Sequence, residues 1–244
     1  MAAPVLSRRS VALLQPFAIV VVIVLGVEAT GLAGSILDHW GDILYLTRQQ
    51  IELVAISGAL AVLAGLPLGI VLSRPAFRRI ADSAMQTLNV GTTVPTLAVL
   101  ALAMSFLGIG RIPAIFALWI ATLLPIVRNT YVGLLEVPDH LIESAVGMGM
   151  KPSQILWRVE LPNALWVIFA GIRTAIIINA GTAPLAFLIG GGGLGQLIFT
   201  GIALDDTGSI LAGAIPTAII AIFADFLISG FARVVVSRGI LPVE

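Results

Sequence analysis

Long apolar runs separated by short polar segments dominate this chain, and their lengths set the first expectation. A helix needs about 20 mostly apolar residues to cross a bilayer. About six stretches qualify, at 11–30, 51–72, 91–109, 112–130, 163–189 and 209–231. The pattern predicts an all-α membrane protein crossing about six times. Arg8 and Arg9 ahead of the first run, with Ala29 and Ala33 near its end, also fit a cleaved secretory signal, although the run is long for a signal core.

Composition supports lipid as the solvent, since 59% of residues are hydrophobic and 11% charged. The formal net charge is zero, which gives no basic field for nucleic acid, and with no cysteine there is no disulfide framework or thiol nucleophile. Placement of charge is more informative. Arg8, Arg9, Arg74, Arg78, Arg79, Arg128, Lys151, Arg158, Arg233 and Arg238 fall in the N-terminal tail, alternate loops or the C-terminal tail. Arg48 and Arg111 fall in the opposite segments, with Asp38, Asp42, Asp205 and Asp206. Basic residues mark the cytoplasmic side, so both termini are expected inside, which requires an even number of spans and retains the first.

On that cytoplasmic side lies the polar island ESAVGMGMKPSQILWRVELP, residues 143–162. Pro138 suits a helix's first turn and Asp139 complements its positive end. A short helix is expected from there, with Leu141, Ile142, Ala145 and Val146 on its apolar side. Gly147 and Gly149 favour a break, and Pro152 starts a second short helix carrying Ile155, Leu156 and Val159 on one face. Leu161 and Pro162 then lead into the fifth span. Spacing alone leaves two readings of this hairpin open: packing onto the span ends, or docking to a partner.

The same island fits E-x-A-x(3)-G-x(9)-[IV]-x-L-P through Glu143, Ala145, Gly149, Val159, Leu161 and Pro162. It resembles the EAA loop of permease subunits of binding-protein-dependent ABC importers, with Ser144 in place of the usual second alanine. The stretches NVGTTVPTLAVLALAM (89–104), LLPIVRNTYVGL (123–134) and GIRTAIIINAGTAPLAFLIGGGGLGQLIFTG (171–201) are similar to the osmoprotectant class, which takes up glycine betaine, carnitine or choline. Methionine and other amino-acid importers share parts of the pattern. The resemblance implies a type I (MetI-like) permease core in the bacterial inner membrane. It also implies that Glu143, Ser144, Ala145, Gly149, Leu161 and Pro162 couple to a cytoplasmic ATPase present in two copies. Further implied partners are a second permease subunit, the same chain or a homologue, and a separate periplasmic or lipid-anchored binding protein. ATP and Mg are expected on the ATPase, and no cofactor on this chain. The organisation expected is residues 1–48 as tail, first span and outer loop, 49–232 as the permease core with its coupling loop at 136–162, and 233–244 as a cytoplasmic tail.

Polar groups inside spans are costly unless they face protein or water. Thr92, Thr93, Pro95, Asn129, Arg173, Asn179 and Thr182 are therefore expected along the translocation path or its gate, with Gly192 and Gly193 shaping the outer gate. Thr96 and Thr122 share that setting, although a threonine hydroxyl also bonds readily to its own helix. Arg173 is expected to pair with Asp225, since both lie two or three turns from the inner ends of their helices. Gly190, Gly192 and Gly195 match G-x-G-x-x-G, yet the run lacks the strand–turn–helix setting of a dinucleotide site. His39 and His140 lie in opposite loops, unfit for one metal site, and the carboxylates show no tight pair fit for acid–base chemistry. An intramembrane enzyme or a scaffold is therefore less well supported than a transporter subunit.

The charge bias makes a topological prediction. In this cysteine-free chain, a single cysteine at position 206 should react with an impermeant thiol reagent added outside, and one at 151 should be spared. The reverse pattern would invert the assigned orientation.

Overall fold

A computed structural model describes residue 26 and residues 33–91 and 93–236; the expected first span at 11–30 lies outside the described residues apart from residue 26. Every long element described is helical. A short α1 (Ala33–Asp38) leads into α2 (Trp40–Leu72), which begins well before the expected 51–72. The extension follows from local sequence: residues 42–57 contain neither Gly nor Pro, and Arg48 and Glu52 pair at 3.0 Å one turn apart.

The stretch expected as one span at 91–109 is broken. α3 (Arg78–Gly91) and α4 (Thr96–Leu107) meet at 101°. Fourteen and twelve residues give helices of roughly 21 and 18 Å, each too short to cross about 30 Å of hydrocarbon alone. The cause is Pro95, which disfavours helical backbone at the preceding residue and itself sits at φ −59°, ψ 136°. Polar backbone at the break is partly closed locally: the Thr93 N–H and hydroxyl both donate to Val90 O, at 3.0 and 2.7 Å.

α5 (Arg111–Leu135) forms a span, and Arg128 lies inside it rather than in a loop. α6 (Asp139–Gly147) and α7 (Pro152–Ile155) form the hairpin. A wider π-helical turn (Leu156–Glu160) then joins α7 without interruption to α8 (Leu161–Thr182), so the hairpin's second arm and the fifth span are one continuous helix. A 3₁₀ segment (Ala183–Ile189) completes the expected 163–189, followed by the glycine turn, α9 (Gly195–Leu204) and α10 (Thr207–Val235).

α2, α5 and α8 form the centre of the bundle, with α10 against α8 and α9. In lipid, close packing of helices depends on small residues at their crossings. At Gly69 a Cβ would stand 2.5 Å from Thr130 Cβ and 2.9 Å from the Val127 carbonyl oxygen, and at Gly171 it would overlap Asn129. Toward the glycine-turn end of the same helices, Leu53, Leu100, Leu118, Ala180 and Ala186 form one fully buried core.

Gly195 is the most confined crossing, since a Cβ there would overlap the Pro184 carbonyl oxygen. Gly195→Ala should therefore lower stability by about 3 kcal/mol through overpacking, read as a fall in the melting midpoint of the purified protein. Gly181→Ala, with nothing within 4 Å of its new Cβ, is the control and should melt at or above the wild-type midpoint.

Candidate functional site

The hairpin is assembled by caps and one left-handed glycine. Pro138 occupies the N-cap of α6 and Asp139 its first turn. At the other end the Met150 N–H donates to Ala145 O (3.1 Å) and the Gly149 N–H to Val146 O (2.9 Å). Gly149 adopts φ +76°, which a side chain disfavours; Gly147 only ends the helix. A Cβ at Gly149 would meet nothing within 4 Å, so the glycine is required by backbone conformation and not by a neighbour. The Lys151 N–H donates to Gln154 Oε1 (2.8 Å) to start α7.

One hairpin face is buried and the other is open. Ile142, Leu156 and Leu161 pack with Leu134, Val137, Ala164 and Ile168 at the ends of α5 and α8, and Ala145 is buried. Arg74 Nη1, beyond α2, pairs with Glu160 Oε2 at 2.7 Å and ties the π-turn to the bundle. Glu143, Ser144 and Gly149 are exposed, and Pro162 is half-buried. Val146, expected on the packed side, is 60% exposed, because α6 turns Ile142 and Ala145 inward and its next position outward; Met148 (73%) and Trp157 (69%) extend the open apolar face.

At the opposite end of the bundle the glycine turn is held by two adjacent glutamines of α2. Gln49 Oε1 accepts the Gly193 N–H at 3.0 Å and Gln50 Oε1 accepts the Leu194 N–H at 3.1 Å. Gln50, fully buried, also donates through Nε2 to Ala180 O (3.4 Å) and Thr217 Oγ1 (3.3 Å). One amide thus joins α2, α8, the turn and α10. The turn itself requires glycine, as Gly190, Gly192 and Gly193 all have positive φ. Nearby, Asn179 is buried and its amide donates to Ser57 Oγ at 2.8 Å and Val54 O at 3.5 Å. Asp206 accepts from Gly208 N–H (2.9 Å) and Ser209 Oγ (2.5 Å), capping α10. The Ser209 hydroxyl bond holds the Asp206 carboxyl below the ordinary carboxylate range, and Ser209 Oγ also lies 3.0 Å from His39 Nε2.

Of the residues expected on a path, Asn179, Gly192 and Gly193 cluster around the glutamine pair, with Thr182 just beyond Ala180 and its hydroxyl on Ile178 O. Thr93 and Pro95 lie exposed at the α3–α4 break, and Thr92 lies outside the described residues. Asn129 donates to Pro125 O (2.8 Å) at the α5–α8 crossing. Arg173 pairs with both carboxylate oxygens of Asp225, as matched depth predicts. Gln49, Gln50, Ser57 and Thr217 escaped the sequence reading; the signal was a glutamine pair opening the apolar run QQIELVAISGAL. Among the described residues no group of three His, Cys, Asp or Glu is placed to hold a metal.

Residues 65–239 match the model of the family described as binding-protein-dependent transport system inner membrane component. The chain belongs to this family. This transport component is 51% identical over 218 residues to the osmoprotectant import permease protein OsmY of Salmonella typhimurium, covering 89% of this chain and 92% of that one. It is 43% identical over 199 residues to the choline transport system permease protein OpuBB of Bacillus subtilis (82% and 91% covered). Its fold is that of a chain in the inward-facing MetNI methionine ABC transporter, with TM-score 0.73 at 24% identity, covering 80% and 96%. It is thus a multi-pass inner-membrane permease with an importer fold.

The glutamine pair generates an ordered expectation. Gln50→Leu leaves a buried N–H, a carbonyl and a hydroxyl short of a partner and should cost about 2–4 kcal/mol of stability. Gln49→Leu removes one bond at a half-buried position and should cost about 1 kcal/mol. Melting midpoints of the two purified variants give the order; equal midpoints would remove the central role assigned to Gln50.

Proposed function

We propose that this permease forms the pore of an ATP-driven importer for a quaternary-ammonium osmoprotectant such as glycine betaine, carnitine or choline. The observation that carries this reading is the 51% identity, over nearly nine-tenths of the chain, to a relative named as an osmoprotectant import permease. In this reading the hairpin faces the cytoplasm, and its open face of Val146, Met148 and Trp157, beside Glu143, receives one of two ATPase subunits. A second permease subunit completes the pore. ATP and Mg are bound by the ATPase, and a separate binding protein delivers the solute.

Mechanically, ATP-driven closure of the ATPases draws two hairpins together and opens the pore outward, and hydrolysis resets it inward; each state is selected by its own contacts. Selectivity rests mainly with the binding protein. A quaternary ammonium is best held by an aromatic cage, and this chain has only 7% aromatic residues.

Reconstitution with the cognate ATPase and binding protein should give ATP-dependent uptake of at least one of these solutes. Uptake of methionine alone would overturn the substrate while sparing the importer. Glu143→Lys reverses a charge on the open face, and Gly149→Leu strains the left-handed turn. Each should lower uptake by about tenfold while the protein remains in the membrane. Normal uptake in both variants would leave the hairpin a purely structural element.

A further inference from the structure

Arg128 stands apart from the other arginines of the membrane-length helices. Arg48 and Arg111 both pair with Glu52, and Arg173 pairs with Asp225. Arg158 belongs to the hairpin arm and Arg233 to the last turn of α10. Arg128 lies about two turns inside the hairpin end of α5, is exposed, and has no ion-pair or hydrogen-bond partner among the described residues. A charge at such depth is costly without a counter-charge or water.

Its surroundings indicate which counter-charge fits. A cleft of about 660 Å³ runs between the α3–α4 break and α5, and Ala121, Leu124 and Pro125 form part of its α5 wall. Arg128 follows these by seven, four and three residues, so it continues the same helical face. Helical side chains lean toward the helix N-terminus. For Arg128 that direction is toward Leu124 and Pro125, which line the hairpin end of the cleft's α5 wall. None of the residues lining the cleft is ionisable, and Arg128, three residues beyond Pro125, is the next charged residue on this face of α5.

We propose that Arg128 is an anion-binding residue at the hairpin-end mouth of this cleft, and that its ligand is the carboxylate of a zwitterionic solute in transit. The guanidinium fork matches a carboxylate bidentately. The second half of the assignment rests on the substrate reading given above; the first half does not. A solute with a quaternary ammonium and a carboxylate engages Arg128, whereas a quaternary cation lacking the carboxylate passes without it. Arg128 is therefore a specificity-determining residue between the two kinds of solute.

Two measurements on the complete complex separate these halves. With a single cysteine at Leu124→Cys, an anionic methanethiosulfonate reagent should label several-fold faster than a cationic one, and Arg128→Gln should abolish that preference. No labelling, or a preference unchanged by Arg128→Gln, overturns the anion site. In vesicles, Arg128→Gln should cut glycine betaine uptake about tenfold, the scale of a lost charged hydrogen bond, with Arg128→Lys restoring part of it. Uptake of choline, a quaternary cation without the carboxylate, should be unchanged in the same variant. An equal fall for both solutes, or no fall, overturns the carboxylate assignment. Failure of the wild-type complex to import either solute overturns the substrate reading, and the labelling result then stands alone.

Discussion

Backbone that leaves the helix inside a bilayer has no water to bond with, and this constraint governs where polar residues appear in the bundle. The glycine turn after α8 is the clearest instance. Its successive N–H groups are received by Gln49 and Gln50, and the remaining amide protons of Gln50 go to α8 and α10. A buried side chain satisfied on both its acceptor and donor sides fixes four elements relative to one another. Similar closure recurs at the α3–α4 break through Thr93. Several polar groups expected along a path thus also serve the chain's own backbone.

The helices were legible because hydropathy and proline placement act locally. The pairing of Arg173 with Asp225 was legible for a related reason: two opposite charges at one depth in lipid have few other places to go. The bend at 92–95 was not, since apolar residues continue on both sides of Pro95 and hydropathy carries no direction. Gln50 was hidden for a different reason. Its partners lie 130 to 167 residues away in sequence, a relation that no local pattern encodes. Val146 shows the limit of helical periodicity: a short helix with an apolar majority does not reveal which of its apolar positions remain outside. Arg128 was assigned to a loop from charge bias alone, and the continuous helix of α5 corrects it.

The two readings left open for the hairpin turn out to be compatible. Packing of Ile142 and Leu156 against the span ends, with the Arg74–Glu160 pair, gives the hairpin a fixed seat. Exposure of Val146, Met148 and Trp157 leaves a surface of the kind that marks an interaction site. A docking element that is itself firmly seated loses little order on binding, so less of the interaction energy is consumed in arranging it.

The unbroken helix from α7 through the π-turn into α8 has a mechanical consequence. Thirty-one residues at 1.5 Å rise make a strut of roughly 46 Å, with Trp157 near one end and Asn179 near the other. A stiff member pivoted between its ends converts a push on one into an opposite swing of the other, without any signal passing residue by residue. The tight crossing at Gly171, where a Cβ would overlap Asn129, lies nearer the Asn179 end than the Trp157 end. Any tilt of the strut about that contact, with the seated hairpin and span ends moving together, would carry Trp157 farther than Asn179.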